Sequence, residues 1–207
     1  MKKKRRERKK KMNECRGYKA SPYTQIGAIG HSSKMRIDND FYATPPEAVK
    51  MLLRLEKFNQ NVWEPACGQG HIANVLSENG YFVKSTDLID RGYGAGNVDF
   101  LKQAESYHGD IITNPPYKYA KEFVEKALEL VSAGAKVAMF LKLQFLEGKA
   151  RRKLFENYPP RKVYVSSSRL KCGRNGIFQK NDANAVCYAW FIWEKGFNGN
   201  PFIYWFN

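Results

Sequence analysis

Histidine and paired cysteine are nearly missing from this chain of 207 residues. It has three histidines, and Cys15, Cys67, Cys172 and Cys187 stand far apart with no Cys-x-x-Cys pair and no histidine at ligand spacing. Neither a metal site nor a disulfide framework is expected, and a reducing cytoplasm is the simplest compartment. Long apolar runs are absent too. No stretch approaches the ~18 apolar residues of a membrane helix, and the basic start lacks a signal peptide's apolar segment, so no membrane partner is expected. Acidic residues are scarce, 20 against 35 Lys+Arg, which leaves a net charge of +15. That balance favours a polyanionic partner such as nucleic acid, although solubility accounts for part of it.

What is present suffices for one globular body. Hydrophobic residues make up 43% and charged residues 27%, so wholesale disorder is disfavoured. The length suits one compact domain and leaves no room for a large separate recognition domain. Nine basic residues crowd into positions 1–11 against Glu7 alone. Residues 1–37 therefore read as a disordered basic arm and polar lead-in, either a solvated tail or a non-specific phosphate contact. Residues 38–207 read as the single folded domain, expected to be monomeric.

Within that domain, short apolar runs alternate with helical periods. Thr44-Pro45-Pro46-Glu47 has the form of a capping box, with Thr44 as cap, and predicts a helix running to about Phe58. Strands are predicted over 61–66, 82–87, near 97–100, 110–113, 136–143, near 161–166 and near 185–194. Helices are predicted over 70–79, 119–132 and near 149–157. Ala120, Phe123, Val124, Ala127, Leu128 and Val131 recur at three- and four-residue steps, the clearest amphipathic pattern in the chain. This alternation implies an α/β fold: an open, doubly wound, mostly parallel sheet with helices on both faces. In such a sheet ligands bind at the carboxyl ends of the strands, near the switch point of strand order.

The polar and glycine-rich segments fall at those ends. Glu64-Pro65-Ala66-Cys67-Gly68-Gln69-Gly70 follows the first strand, where glycines let a ligand approach the backbone and the next helix offers unpaired N–H groups. An acidic residue before the turn repels a pyrophosphate and can accept from a cationic amine, so S-adenosyl-L-methionine fits better than NAD. Asp87 ends the second strand, about 20 residues on, where a carboxylate can accept from ribose hydroxyls. Asp99 and Phe100 offer an acceptor and an apolar face for adenine, or equally an ordinary loop and core pair. At the end of the 110–113 strand stands Asn114-Pro115-Pro116-Tyr117. Pro115 and Pro116 stiffen the turn and remove two backbone donors, which leaves the Asn114 side-chain carbonyl and the Pro115 backbone carbonyl as acceptors for an exocyclic amine. Tyr117 adds a flat face on which a planar base can stack.

Through these two motifs, roughly residues 38–194 resemble the S-adenosylmethionine-dependent DNA adenine N6 methyltransferases, most of all their small phage-encoded members. The resemblance implies that Phe41 through Pro46, with Phe41, Thr44 and Pro45, contact the cofactor. It likewise implies that Gly68 and Gly70, together with Glu64, Pro65 and Ala66, form the turn under its methionine part, that Asp87 binds the ribose, and that Asp99, Phe100 and Asn114 complete the cofactor site. Asn114, Pro115, Pro116 and Tyr117 would be the catalytic signature, acting on a base flipped out of the duplex. Glu64 stands where the family more often has aspartate, and the missing recognition insertion implies weak sequence specificity.

Two basic loops are the candidates for holding the polymer. Arg169, Lys171 and Arg174, continuing to Lys180, lie between the last two predicted strands, and Arg151 and Arg152 lie at a helix start where cations oppose the dipole unless an anion is near. The aromatic run Tyr188, Trp190, Phe191, Trp193, with Tyr204, Trp205 and Phe206, reads mostly as core, with Trp190 facing one side of a final strand and Phe191 and Trp193 the other. Alternative readings keep the fold but change the acceptor, to an RNA base, cytosine N4 or protein glutamine. Another drops catalysis altogether for a DNA-binding decoy. The glutamine enzymes usually carry an N-terminal helical domain for which no room is expected here.

Overall fold

The computed structural model describes residues 41–174, 176–178 and 186–206. Residues 1–40, with the basic arm and the polar lead-in, as well as Lys180 and the side chain of Arg174, lie outside the described residues. From Phe41 the chain forms β1 (Tyr42–Ala43), α1 (Pro46–Leu55), β2 (Asn61–Glu64), α2 (His71–Glu78), β3 (Phe82–Ser85), β4 (Asp110–Thr113), α3 (Ala120–Leu130) and β5 (Lys136–Lys142). It continues through α4 (Arg152–Asn157), β6 (Lys162–Ser166), β7 (Gly173–Arg174), β8 (Tyr188–Glu194) and β9 (Phe202–Phe206).

Among the described residues, seven strands share one sheet in the order β3-β2-β4-β5-β8-β6-β9, while β1 and β7 pair separately. Strands β2 to β5 are mutually parallel, β8 runs antiparallel to both β5 and β6, and β9 is parallel to β6. Six strands therefore end at one edge, and the chain leaves β2 outward to β3 on one side before returning to β4 on the other. That reversal is the switch point expected to receive a ligand.

Helices cover both faces, as the alternating pattern predicts. Val49 and Leu52 of α1 and Ile72, Val75 and Leu76 of α2 pack with Val62, Ile112, Phe140 and Trp190 on one face. On the other, Phe123, Val124 and Leu128 of α3 and Leu154 of α4 pack with Ile111, Val137, Met139, Phe191 and Trp193. Trp190 thus opposes Phe191 and Trp193 across β8, as its alternation predicts. Each such side chain contributes about 1.5–3 kcal/mol on full burial, and the two clusters fix which loops meet at the carboxyl edge.

Three expectations change. Helix α1 is shorter than predicted, and its cap is Pro45 without any side-chain hydrogen bond, so Thr44 does not cap it. The Thr44 hydroxyl accepts from Asn114 instead. The strand expected near 97–100 is reduced to a single bridge between Thr86 and Ala95 followed by a tight turn at Phe100–Lys102. Gly92, Gly94 and Asn97 there all take positive φ, which breaks extended pairing. Finally, β9 adds an edge strand, leaving Trp205 70% exposed and Tyr204 43% exposed rather than in the core.

The opposite edge of the sheet is tied by one buried carboxylate. Glu56, just past α1, accepts from Lys136 at 2.7 Å, from Tyr164 at 2.6 Å and from Lys162. Burial alone would raise its pKa, but the bonds from Lys136, Lys162 and Tyr164 outweigh it and hold the group below the usual carboxylate value. The cleft these residues line, about 130 Å³, holds Arg161 paired with Glu194 as well. Each of its charges has a partner within the protein, Lys136 and Lys162 sharing Glu56 and Arg161 pairing with Glu194. Replacing Glu56 by Gln is expected to cost about 3–5 kcal/mol at neutral pH, because two lysines lose their shared partner. Since the folded pKa is depressed, that stabilisation is present above the unfolded value and disappears as pH falls through the folded one. Urea unfolding of both proteins at neutral and acid pH checks this: the midpoints should converge on acidification, and equal midpoints at pH 7 would refute it.

Candidate functional site

Strand β2 delivers Glu64 into the core before Pro65 and Ala66 turn the chain outward. Gly68 and Gly70 take φ of +56° and +82°, and a Cβ on Gly70 would lie 2.4 Å from the Tyr93 ring. Gly68 lies under Phe41, whose ring would be 3.1 Å from such an atom. The turn thus needs glycine for its conformation and for the close approach of two aromatic rings. Asp87, beyond β3, accepts from Gly68 N–H at 2.8 Å and from Ile89 N–H at 2.9 Å. Each carboxylate oxygen retains acceptor capacity for a ribose hydroxyl.

Glu64 is buried, and its Oε2 has no hydrogen-bond partner among the described residues. Burial pushes its pKa well above the ordinary value, a backbone bond from Ala73 opposes this, and the nearby Asp87 charge adds to it. An orphaned buried oxygen beside a glycine turn suits a cationic guest, so the donor set fits the amine of S-adenosylmethionine. Burial first, then the charges of Glu64 and Asp87, push the Cys67 thiol up to about 12, so it is no thiolate nucleophile. Among the described residues no cluster of three or more His, Cys, Asp or Glu is placed to hold a metal ion.

Asp99 caps the next turn through the Leu101 N–H at 3.1 Å and meets Lys102 at 3.3 Å. Phe100 is 2% exposed, set edge-on to Trp63 and against Phe123. Its ring belongs to the core, and what the segment can offer a ligand is the partly exposed Asp99 carboxylate and the backbone of the 99–101 turn.

Asn114 follows β4 directly. Its amide nitrogen donates to the Tyr42 carbonyl at 2.7 Å and to Thr44 Oγ1 at 3.0 Å. A backbone carbonyl can only accept, so the nitrogen must face Tyr42 and the Asn114 Oδ1 must face the other way as an acceptor. The Pro116 carbonyl accepts from Tyr119 N–H at 2.9 Å, which starts the turn Tyr117–Tyr119 leading into α3. Tyr117 carries Lys142 Nζ 4.7 Å from its ring centre and has Tyr42 stacked at 6.2 Å. Its phenol sits well above the usual pKa, chiefly through burial and next through Tyr188 and Cys172. A planar guest stacking on Tyr117 competes with Tyr42 or Lys142 for a face of the ring.

The basic loop after β6 reaches the same place. Strand β7 pairs with β1, matching Arg174 to Tyr42 and Gly173 to Ala43, and Phe178 meets the His71 ring at 5.8 Å. Arg169 and Lys171 are exposed at this edge. Arg151 instead donates to the carbonyls of Phe145 at 2.8 Å and Gln144 at 3.2 Å, and Arg152 pairs with Glu156 at 2.6 Å. Arg151 therefore braces the turn at Leu143–Leu146, and the carboxylate four residues on serves the exposed Arg152. Sequence reasoning missed Tyr93 and Lys142, and it placed Tyr42 in the Phe41–Pro46 segment without its contacts to Asn114 and Tyr117. For Lys142 a signal existed, since it ends β5 at the ligand-binding edge; the other two contacts are long-range.

Comparison with family models and with curated protein sequences finds no match. Solved structures do match. A protein of Listeria monocytogenes provisionally assigned as a class I S-adenosylmethionine-dependent methyltransferase superposes with a TM-score of 0.55 at 12% identity, over 79% of this chain and 65% of its own. The chain has the class I methyltransferase fold. A provisionally assigned RNA methyltransferase of Pyrococcus horikoshii matches at 0.53 and 14% identity over 74% of this chain and 86% of its own. The modification subunit of a provisionally assigned type I restriction enzyme of Vibrio vulnificus matches at 0.56 and 12% identity over 81% of this chain and 47% of its own. The chain thus spans under two thirds of two of these three proteins. Within this fold, the glycine turn, Asp87 and Asn114 all lie at the carboxyl edge, on either side of the switch between β2 and β4.

Proposed function

We propose that the protein transfers the methyl group of S-adenosylmethionine to the N6 amine of adenine in DNA. The observation that carries the reading is the fixed Asn114 amide, whose two donors are spent on Tyr42 and Thr44 so that only an acceptor remains for a guest. An acceptor at the carboxyl end of the strand beside the glycine turn suits an amine and repels a carbonyl. The +15 charge and the exposed Arg169 and Lys171 support a nucleic-acid substrate. The Vibrio and Pyrococcus proteins, a modification subunit and an RNA methyltransferase by their names, are in keeping with it.

The bound cofactor would supply an electrophilic methyl group on a sulfonium, which carries its own leaving group. Glu64 would accept from its amine, Asp87 from its ribose, and the 99–101 turn would border its adenine. Asn114 Oδ1 and the Pro115 carbonyl would accept both N6 hydrogens of the target base, keeping the amine's lone pair on the remaining side, toward the methyl. On methyl transfer the amine would give up one of the two hydrogens held by Asn114 Oδ1 and the Pro115 carbonyl, and that hydrogen would leave as a proton to water. Holding the reactants aligned can supply ~7–11 kcal/mol of the barrier. Extruding the base from a duplex costs a few kcal/mol, ~ the unpairing and unstacking energy, which stacking on Tyr117 would partly offset.

Plasmid DNA from cells expressing the protein, digested to nucleosides and read by mass spectrometry, tests this. N6-methyladenine above the level in cells lacking the protein is the expected result. N4-methylcytosine alone, or methylated RNA with unmodified DNA, would replace the proposed acceptor by another.

A further inference from the structure

We infer that Thr44 is a positioning residue: its hydroxyl, with the Tyr42 carbonyl, holds the Asn114 amide in the one orientation that can receive an amine. The inference rests on the reading of Asn114 as the amine acceptor and extends it to a residue of different chemistry.

An amide side chain has two orientations related by a half turn, nearly equal in shape and opposite in hydrogen bonding. In one, Oδ1 faces the guest. In the other, the NH2 does, and donors then face the donors of an exocyclic amine. Both amide hydrogens of Asn114 are engaged, one on Tyr42 at 2.7 Å and one on Thr44 Oγ1 at 3.0 Å. Turning the amide over would set Oδ1 against the Tyr42 carbonyl, which can only accept, so that carbonyl selects the orientation while the Thr44 hydroxyl, taking the second amide hydrogen, anchors the selected one. Thr44 is 1% exposed, so water does not readily replace its hydroxyl. This use of the hydroxyl also explains why Thr44 leaves the helix cap to Pro45 despite standing in a capping-box sequence.

The second holder is itself held. Tyr42 and Ala43 pair with Arg174 and Gly173, so the strand presenting the carbonyl is fixed by the loop that follows β6. The amide is thereby joined to the basic loop through one short antiparallel pair.

The test compares Thr44→Val, Thr44→Ala and Thr44→Ser in the full chain. Three readouts are used: steady-state methylation of duplex DNA, titration calorimetry with S-adenosylmethionine, and NMR hydrogen exchange of the Asn114 side-chain amide. Valine and alanine should lower kcat by about 10- to 100-fold, the scale on which misplacing a catalytic group acts. The KM for DNA and the cofactor Kd should stay near wild type, serine should restore turnover, and the amide hydrogens should exchange faster in the valine and alanine proteins only. Should valine fail to fold, alanine against serine carries the comparison. Unchanged kcat, or cofactor affinity that falls in step with kcat, overturns the inference and makes Thr44 a bystander or a cofactor contact. If the wild type methylates no adenine, the functional reading falls while the exchange comparison still decides whether Thr44 orients the amide.

Discussion

Replacing Asn114 by Ala is expected to lower methyl transfer by about 100- to 1,000-fold, the scale seen when one preorganised polar contact to a reacting group is removed. The loss should appear in kcat, with cofactor affinity close to wild type, because the glycine turn, Glu64 and Asp87 are untouched. Asp at this position is expected to be no rescue. It keeps one acceptor oxygen but sets the other against the Tyr42 carbonyl, which can only accept, even if the Thr44 hydroxyl turns to donate. Repulsion between these oxygens would turn the carboxylate away. Single-turnover methylation beside calorimetric titration of the cofactor separates the two effects, and wild-type turnover by Asn114→Ala would remove the assigned role.

Glu64→Gln should weaken S-adenosylmethionine binding by about 2–5 kcal/mol, the range for removing one partner of a buried charge pair. In the free protein, burial and then the Asp87 charge favour the protonated carboxyl over the opposing Ala73 bond. A cation docked at Oε2 favours the carboxylate. Below the pKa of the free carboxyl, binding therefore releases a proton, and affinity rises with pH up to that pKa and then levels off. Titration in two buffers of different ionisation heat reads the released proton directly. Identical heats in both buffers across the acid and neutral range, with an affinity that does not change with pH, or a Gln variant with unchanged affinity, would contradict a cation at Glu64.

The layered sheet and the faces of β8 are legible in the sequence because they follow from short-range apolar periodicity. Trp190 against Phe191 and Trp193 is such a case. The direction of β8 was not legible, since a strand buried on both faces has the same pattern whether parallel or antiparallel. The glycines and Asn97 between residues 92 and 97 show where the strand expected near 97–100 fails, but Asp99-Phe100 mimicked a strand end. In the site, the turn after β2 and the Asn114 motif could be placed because both follow strands. Thr44 could not be read correctly. Its Thr-Pro-Pro-Glu context has the local form of a cap, and only a partner 70 residues away diverts the hydroxyl. Arg151 is similar: its carbonyl partners lie in a turn whose shape depends on tertiary packing.

The most direct measurement supplies the purified protein with S-adenosylmethionine bearing a deuterated methyl group and with unmethylated duplex DNA, then digests the product for mass spectrometry. The account predicts deuterated N6-methyladenine, formed by the wild type and lost with Asn114→Ala. Cofactor binding without label in any adenine would contradict it.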